Sequence, residues 1–193
     1  MKSHDTIRTF VAIEIPESIK SRIERLQEQL RRIEARVSWT KPSNVHLTLK
    51  FLGYVEASAI ERINEAVKRA ASEISPFNLE VGGAGCFPSS RNPRVLYVGL
   101  PDLPEQLKLL HSNIENELER EGFPKETRRF SPHLTIGRLR TSQNASTLAA
   151  ALQATGFENK TFVVREIIVM RSDLKPTGSI YTPQSVINLR DTI

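Results

Sequence analysis

Two histidines of this chain stand in nearly identical four-residue motifs, His-Leu-Thr-Leu at 46–49 and His-Leu-Thr-Ile at 133–136. An imidazole has a pKa of about 6.5, so two neighbouring copies can differ in protonation near neutral pH. One copy can accept a proton from water while the other protonates a leaving oxygen, and a threonine hydroxyl can donate to a phosphate oxygen. The motifs therefore predict acid–base hydrolysis of a phosphodiester. The candidate residues are His46, Thr48, His133 and Thr135.

A metal site is the main chemical alternative, because histidine is a common metal ligand. The usual zinc site needs roughly three to four protein ligands, whereas neither motif contains Asp, Glu or Cys. We therefore expect no metal and no cofactor. Cys86 is the single cysteine of the chain, which excludes an internal disulfide, and no histidine stands beside it in sequence. We do not expect it to be a nucleophile.

The motifs lie in segments whose composition predicts β-strands. Side chains in a strand alternate between its two faces, so His46, Thr48 and Lys50 are expected to share a polar face. The apolar residues of this segment, of which Phe51 is the last, are expected on the opposite, buried face. The segment that begins at His133 repeats the pattern. Two such strands brought together would line a groove with two imidazoles and two hydroxyls.

Each motif follows the same series of elements, a strand, a proline and an amphipathic helix. Pro16 ends the first strand, and apolar residues then recur at spacings of four and three over 19–33. Pro101 ends the equivalent strand of the second copy, and a similar apolar stripe covers 103–118. The two prolines precede their histidines by 30 and 32 residues. A chance match of four letters would not repeat its surroundings in this way.

The repeat predicts one bilobal domain over 1–193, with duplicated units at about 7–54 and 94–140. Strands are also expected near 161–170 and 179–189. Helices and strands do not alternate strictly enough for a doubly wound sheet. We therefore predict an α+β fold with two pseudo-symmetric lobes, in which antiparallel sheets face a central groove and helices pack outside.

Composition is that of a globular protein of 193 residues, with a formal charge of +5. A basic balance favours an anionic partner such as nucleic acid or a phosphate ester, although an indifferent basic surface would explain the charge equally well. No stretch approaches the roughly 18 consecutive apolar residues of a membrane span, and the N-terminal segment lacks a signal-peptide core. We expect a cytoplasmic, monomeric protein with no membrane partner.

The motifs and their context resemble the 2H phosphoesterases, and within them the RNA 2′,3′-cyclic phosphodiesterases, LigT-like proteins that also carry the label 2′-5′ RNA ligase. The similar stretches lie between residues 8 and 140, with a further one near the end of the chain. They read RTFVAIEIP, WTKPSNVHLTLKFLG, NPRVLYVGL, FSPHLTIGRL and SIYTPQSVINL. Neither four-residue motif departs from the family pattern.

This resemblance implies two lobes about a pseudo-twofold axis, no metal, and hydrolysis of a terminal RNA 2′,3′-cyclic phosphate to a 2′-phosphate. It implies that His46 donates a proton to the leaving 3′ oxygen and that His133 is the base that activates water. It also assigns Thr48, Thr135 and Arg138 to phosphate binding and Phe51 to base stacking. An RNA with a cyclic end, or a small nucleotide, is the expected partner.

The residues alone leave several alternatives open. Near-symmetric motifs do not reveal which histidine is acid and which is base, and the roles would exchange in the ligation direction. A 2′-5′ RNA ligase acting through the same site, or a non-catalytic RNA-binding module, would carry the same motifs. The basic loop 125–129 is either an RNA contact or a solvated face. We expect Tyr181 to pack in the core and His111 to be a packed boundary residue.

Phe51 and Arg138 both lie five residues after their histidines. An ideal strand would turn a residue at this spacing to the face opposite the histidine. Gly137 could permit a β-bulge that turns Arg138 back toward the groove. Phe51 can equally well be a core residue.

Overall fold

The computed structural model describes residues 5–176 and 178–190. The helices within these ranges are α1 (Glu17–Leu30), α2 (Ile60–Ala71), α3 (Glu105–Arg120) and α4 (Ala145–Thr155). The strands are β1 (Thr6–Glu14), β2 (Val37–Trp39), β3 (His46–Glu56), β4 (Phe77–Phe87), β5 (Val95–Gly99), β6 (Leu134–Leu139), β7 (Lys160–Val164), β8 (Glu166–Lys175) and β9 (Gly178–Asn188). None of the described helices combines the length and apolar character needed to span a membrane.

The strands form an antiparallel sheet in the order β7-β4-β5-β6-β3-β1-β8-β9, and β2 pairs with β6 outside this path. The first lobe consists of β1, β3, β8 and β9, and the second consists of β4 to β7. The lobes meet where Leu47 of β3 pairs with Leu134 of β6. Both leucines directly follow a motif histidine, so the junction brings the two motifs together. The predicted α+β fold with two antiparallel lobes is confirmed.

The helices pack behind the sheet because each has one apolar face. Residues of all four helices belong to the main core, with Ile23, Ile63, Leu110 and Leu148 fully buried. Helices α2 and α3 contact each other and lie against β9 and β3 of the first lobe. Helix α4 lies against β4 of the second lobe and contacts α1. The face of the sheet opposite these helices is left for the groove.

Two details differ from the sequence-based expectations. Helix α3 begins at Glu105 with Pro104 at its N-cap position, so Pro101 ends β5 without starting the helix. The predicted strand 161–170 is two strands, β7 and β8, separated at Arg165. The separation has a topological cause, since β7 pairs with β4 in the second lobe while β8 pairs with β1 in the first. The limits of the two duplicated units stay predictions.

Candidate active site

Both motif histidines are held in the same way. His46 opens β3, and His133 directly precedes β6. The Nδ1 atom of each ring lies 2.8 Å from the carbonyl oxygen two residues earlier, that of Asn44 or Ser131. A carbonyl oxygen can only accept a hydrogen bond, so Nδ1 carries a hydrogen in both rings. Nε2 is therefore the nitrogen of each imidazole that can take up or release a proton.

His46 lies among aromatic rings of the first lobe. Phe10 of β1 stacks on its imidazole with ring centroids 4.7 Å apart, and Tyr181 of β9 meets the imidazole edge-on at 5.2 Å. Burial lowers the pKa of His46; the Asn44 carbonyl raises it and the Lys20 ammonium lowers it, both with smaller effect. The neutral imidazole is therefore favoured at pH 7 when no ligand is bound.

His133 is supported by rings of the second lobe. Phe87 of β4 and Tyr97 of β5 stack on each other at 4.3 Å, and their centroids lie 5.0 and 5.6 Å from that of the imidazole. Gly85 makes room for the tyrosine, because a Cβ atom there would lie 2.6 Å from the Tyr97 hydroxyl oxygen. Each histidine thus contacts two aromatic rings from other strands of its own lobe.

A β-bulge in β3 decides which residues reach the groove. Thr48 and Lys50 pair with consecutive residues of β1, which leaves Leu49 as an extra residue. The extra residue interrupts the alternation of side chains between the two faces. Thr48 and Phe51 are consequently exposed, whereas Lys50 is 2% exposed and lies behind the sheet. The predictions that Lys50 shares a face with His46 and that Phe51 lies on the buried face were wrong for this reason.

The equivalent bulge is present in β6. Thr135 and Gly137 pair with consecutive residues of β5, which leaves Ile136 as the extra residue. Arg138 is thereby turned to the same face as Thr135 and is exposed. Gly137 also allows β2 to approach, because a Cβ atom there would lie 2.9 Å from Cγ1 of Val37. The bulge that the sequence allowed near Gly137 is therefore present. In both motifs the extra residue lies three positions after the histidine.

The bulge of β6 is held from behind by a buried glutamine of α1. The Nε2 atom of Gln27 donates to the carbonyl oxygen of Ile136 at 2.8 Å and to that of Thr40 at 2.7 Å. Gln27 is 1% exposed and lies eleven residues after Pro16. Helix α1, which follows β1 of the first lobe, thus fixes Ile136 in β6 of the second lobe.

A buried ion pair occupies the equivalent place behind β3. Glu115 of α3 lies eleven residues after Pro104, and its Oε2 atom accepts from Lys50 Nζ at 2.8 Å. Lys50 also donates to the carbonyl oxygen of Pro124 at 2.9 Å. The same Oε2 atom accepts from the backbone N–H of Glu126 at 2.9 Å. The pair therefore joins the bulged strand, helix α3 and the start of the basic loop.

The basic loop closes one side of the groove. Arg128 and Arg129 line the cavity, as does Phe130, whose ring stacks on that of His111 at 3.8 Å. His111 is half-buried, so its predicted role as a packed residue is confirmed. Lys125, by contrast, forms an ion pair with a carboxylate of α3. Two of the predicted basic side chains, both arginines, therefore reach the cavity.

A cavity of about 590 Å³ lies between the two lobes. It brings together every side chain that the sequence assigned to the site. These are His46, Thr48, Phe51, His133, Thr135 and Arg138. A volume of this size suits a nucleotide-sized ligand. In the described part of the chain, no group of three or more His, Cys, Asp or Glu side chains is arranged to hold a metal ion.

Several further lining residues were not predicted, among them Arg8, Phe10, Phe87 and Tyr181. Tyr181 packs against a small buried cluster that includes Phe10, as expected, but β9 also places it beside His46 at the edge of the cavity. The guanidinium carbon of Arg8 lies 4.4 Å from the ring centroid of Phe51, and its Nη1 atom donates to Ser172 Oγ at 2.7 Å. Alternation along β1 predicts that Arg8 and Phe10 share a face of the strand. Only the pairing of β1 with β3 and β8 shows that this face is the groove side of the sheet.

Two imidazoles, two hydroxyls and several guanidiniums around one cavity define an acid–base site for a phosphate ester. The LigT like Phosphoesterase family matches the chain twice in succession, over 13–97 and 98–181. The chain therefore belongs to this family, and each matched part contains one histidine motif. The resemblance seen in the sequence is confirmed.

Relatives and solved structures agree with this membership. The RNA 2′,3′-cyclic phosphodiesterase of Methanothermobacter thermautotrophicus is 34% identical over 184 residues, which cover 95% of this chain and 99% of the relative. The enzyme of the same name from Thermotoga maritima is 32% identical over 175 residues, 91% of each chain. A crystal structure of E. coli LigT complexed with NADP+ has a TM-score of 0.76 at 26% identity and covers 96% of this chain and 99% of that one.

Proposed function

We propose that this protein is a metal-independent RNA 2′,3′-cyclic phosphodiesterase, which hydrolyses a terminal cyclic phosphate to a 2′-phosphate. One observation carries the proposal above the others. Two equivalent imidazoles, each with its Nδ1 bonded to a carbonyl and its Nε2 available, border the same cavity. The names of the relatives support the substrate class, and the arginines of the cavity suit an anionic ligand.

The phosphate would be held between the two motif strands. The hydroxyls of Thr48 and Thr135 are placed to donate to its non-bridging oxygens, one from each lobe. The exposed guanidinium of Arg138 supplies positive charge, which stabilises the additional negative charge of the transition state. The base would stack on Phe51, whose ring is 44% exposed.

Two proton transfers complete the reaction. His133 Nε2 accepts a proton from water, whose oxygen forms the new bond to phosphorus. The bond from phosphorus to the 3′ oxygen breaks, and His46 Nε2 protonates that oxygen. Burial lowers the pKa of His46, whereas a bound phosphate anion raises the pKa of a neighbouring imidazole. Substrate binding would therefore favour the protonated form of His46 that the donor role requires.

The test is the identity of the product from adenosine 2′,3′-cyclic phosphate, measured by chromatography against both adenosine monophosphates. We expect the 2′-phosphate, with the same rate in the presence of EDTA. His46→Ala or His133→Ala should each lower kcat/KM by about 10²- to 10⁴-fold, the usual effect of losing an acid or a base. Circular dichroism of each variant should show the wild-type fold.

Three outcomes would count against the proposal: a 3′-phosphate product, loss of activity in EDTA, or full activity of either variant. Incubation with cleaved RNA halves completes the experiment. Ligated RNA formed faster than the phosphate is hydrolysed would assign the site to the reverse reaction. Binding of the cyclic nucleotide without any turnover would assign it to a binding module.

A further inference from the structure

The groove face of the first lobe continues beyond Phe51 to a second aromatic side chain, Tyr54. Tyr54 is 68% exposed, the largest exposure among the large apolar side chains that the structure describes. It lies outside the set of residues that line the cavity. An exposed aromatic ring beside a nucleotide-sized cavity can bind a base by stacking, since every base has an aromatic face.

The pairing of β3 with β1 shows that both rings lie on the groove side. Phe51 lies opposite Phe10, and Tyr54 lies opposite Arg8. Leu52 is the extra residue between these pairs, so a second bulge keeps Phe51 and Tyr54 on the same face. Residues directly opposite each other in an antiparallel pair point to the same side. The two aromatic rings and the guanidinium therefore belong to one surface.

The guanidinium of Arg8 lies over the ring of Phe51, and Arg8 pairs across the strands with Tyr54. It is 4.4 Å from the ring centroid of Phe51 and is fixed by its hydrogen bond to Ser172. A residue in a strand advances by about 3.3 Å, so Phe51 and Tyr54 are separated by roughly 10 Å or less along β3. Two bases stacked on these rings would place the phosphate that joins them near a positive charge.

From this arrangement we propose that Tyr54 and Arg8 form a subsite for the nucleotide on the 5′ side of the cyclic end. The inference rests on the proposed function, because it takes the terminal base to lie on Phe51. The base of the preceding nucleotide stacks on Tyr54, and the bridging phosphate lies against Arg8. The enzyme thereby distinguishes an RNA end from a free mononucleotide.

The experiment compares kcat/KM for adenosine 2′,3′-cyclic phosphate with that for an adenosine dinucleotide and trinucleotide with the same cyclic end. The wild type should favour the dinucleotide by about 5- to 100-fold, the range expected for one stacked base. Tyr54→Ala should remove most of this advantage and change the mononucleotide value less than about twofold. Tyr54→Phe, which keeps the ring, should retain the advantage. Leu109→Ala, at a similarly exposed position on α3, should leave both values unchanged.

Each result has one interpretation. No turnover of any of the three substrates by the wild type refutes the proposed function itself. Equal kcat/KM for mononucleotide and dinucleotide, with turnover intact, refutes the subsite alone. Equal losses on both substrates in Tyr54→Ala mean that the side chain acts through the fold and not through the second base.

Discussion

His46 and His133 show how one motif can hold two chemically different imidazoles. The motif fixes the Nδ1 hydrogen bond in the same way in both lobes. The rings around them differ, since His46 has one face stacked on Phe10, whereas Phe87 meets the His133 ring at 72°. Any division of labour between acid and base therefore arises from the neighbouring strands and not from the motif.

The lowered pKa of His46 leads to a prediction about pH. The profile of kcat/KM against pH should be bell-shaped, and its acid-side midpoint should lie below about 6.5, the ordinary value for imidazole. At low pH both imidazoles carry a proton and no base remains, so the acid-side midpoint cannot lie above the pKa of His46. Since burial lowers the pKa of His46, this loss occurs at lower pH than for an exposed histidine.

The measurement is kcat/KM for the cyclic mononucleotide from pH 4.5 to 9 at constant ionic strength. NMR titration of the His46 ring in the free protein assigns the acid-side limb. A midpoint above about 7, or a flat profile over this range, is incompatible with a buried histidine in the catalytic pair.

At this scale the duplicated motif identifies both histidines and both threonines, and the structure places all four around one cavity. Their catalytic roles stay predictions. The faces that strand alternation predicts for Phe51 and Lys50 are wrong, since the bulge at Leu49 depends on the pairing with β1, which the motif does not contain. Tyr181 could not be assigned either, because only the pairing of β8 with β9 carries that strand to the groove.

Helices α1 and α3 each support a motif strand of the other lobe. Helix α1 follows β1 of the first lobe and supports β6 of the second, whereas α3 follows β5 of the second lobe and supports β3 of the first. Gln27 and Glu115 occupy the same position along these helices, and both act on a bulge. The partner differs because the residue after the bulge is Gly137 in one strand and Lys50 in the other. In β6 the glutamine donates to the backbone carbonyl oxygen of Ile136, whereas in β3 the carboxylate accepts from the side chain of Lys50.

This arrangement predicts that Gln27 acts on catalysis through Arg138. Gln27→Leu removes the hydrogen bonds to the carbonyl oxygens of Ile136 and Thr40, of which that of Ile136 keeps the backbone N–H of Thr40 as a donor. The change should destabilise the protein by about 1–3 kcal/mol. It should also lower kcat/KM, because the bulge at Ile136 that aims Arg138 is no longer fixed. In a double-mutant cycle, Gln27→Leu and Arg138→Ala should be non-additive in kcat/KM by roughly 0.5–3 kcal/mol.

Two controls make the cycle specific. Gln29→Leu changes an exposed glutamine of the same helix and should affect neither stability nor kcat/KM. Gln27→Leu combined with Phe51→Ala, in the other lobe, should be additive within about 0.5 kcal/mol. Additivity of Gln27→Leu with Arg138→Ala would mean that Gln27 contributes to stability alone.

Among the elements, the helices could be predicted from their apolar stripes, and the strand-proline-helix repeat predicts the two lobes. The start of α3 was missed because Pro101 and Pro104 both permit a helix to begin after them. The division between β7 and β8 could not be predicted, since both segments are rich in β-branched residues and only their partners differ.

The whole molecule carries a formal charge of +5, and part of this charge is concentrated in the groove. The charged residues that line the cavity are Arg8, Arg128, Arg129, Arg138 and Glu126. An excess of cations around an enclosed volume attracts nucleic acid and makes its binding sensitive to salt. A basic surface without a specific partner, the alternative that composition left open, therefore does not explain the whole distribution of charge.

We predict that kcat/KM for a short RNA with a cyclic end falls as salt increases. A plot of log kcat/KM against log salt concentration should have a slope of about −0.7 for each phosphate neutralised, as for single strands. The slope should be steeper for the trinucleotide than for the mononucleotide. Arg128→Ala should make the trinucleotide slope shallower by up to roughly 0.7.

Arg25→Ala provides the matched comparison. It removes the same charge from an exposed position on α1, which packs behind the sheet, and should leave the slope unchanged. Equal slopes for Arg128→Ala and the wild type would show that the basic loop does not contact the RNA.

The route of the chain through the two lobes has a consequence for how the protein is made. Strand β1 pairs with β8, so Thr9 finds its partner Arg171 only when most of the chain has been synthesised. Strand β4 lies in the first part of the chain that matches the family, 13–97, but belongs to the second lobe. Neither matched part therefore contains a whole lobe, and a nascent chain on the ribosome starts the second lobe before it can complete the first. Such non-local pairing makes folding slow and late, and leaves the sheet edges of the growing chain dependent on protection until β8 emerges.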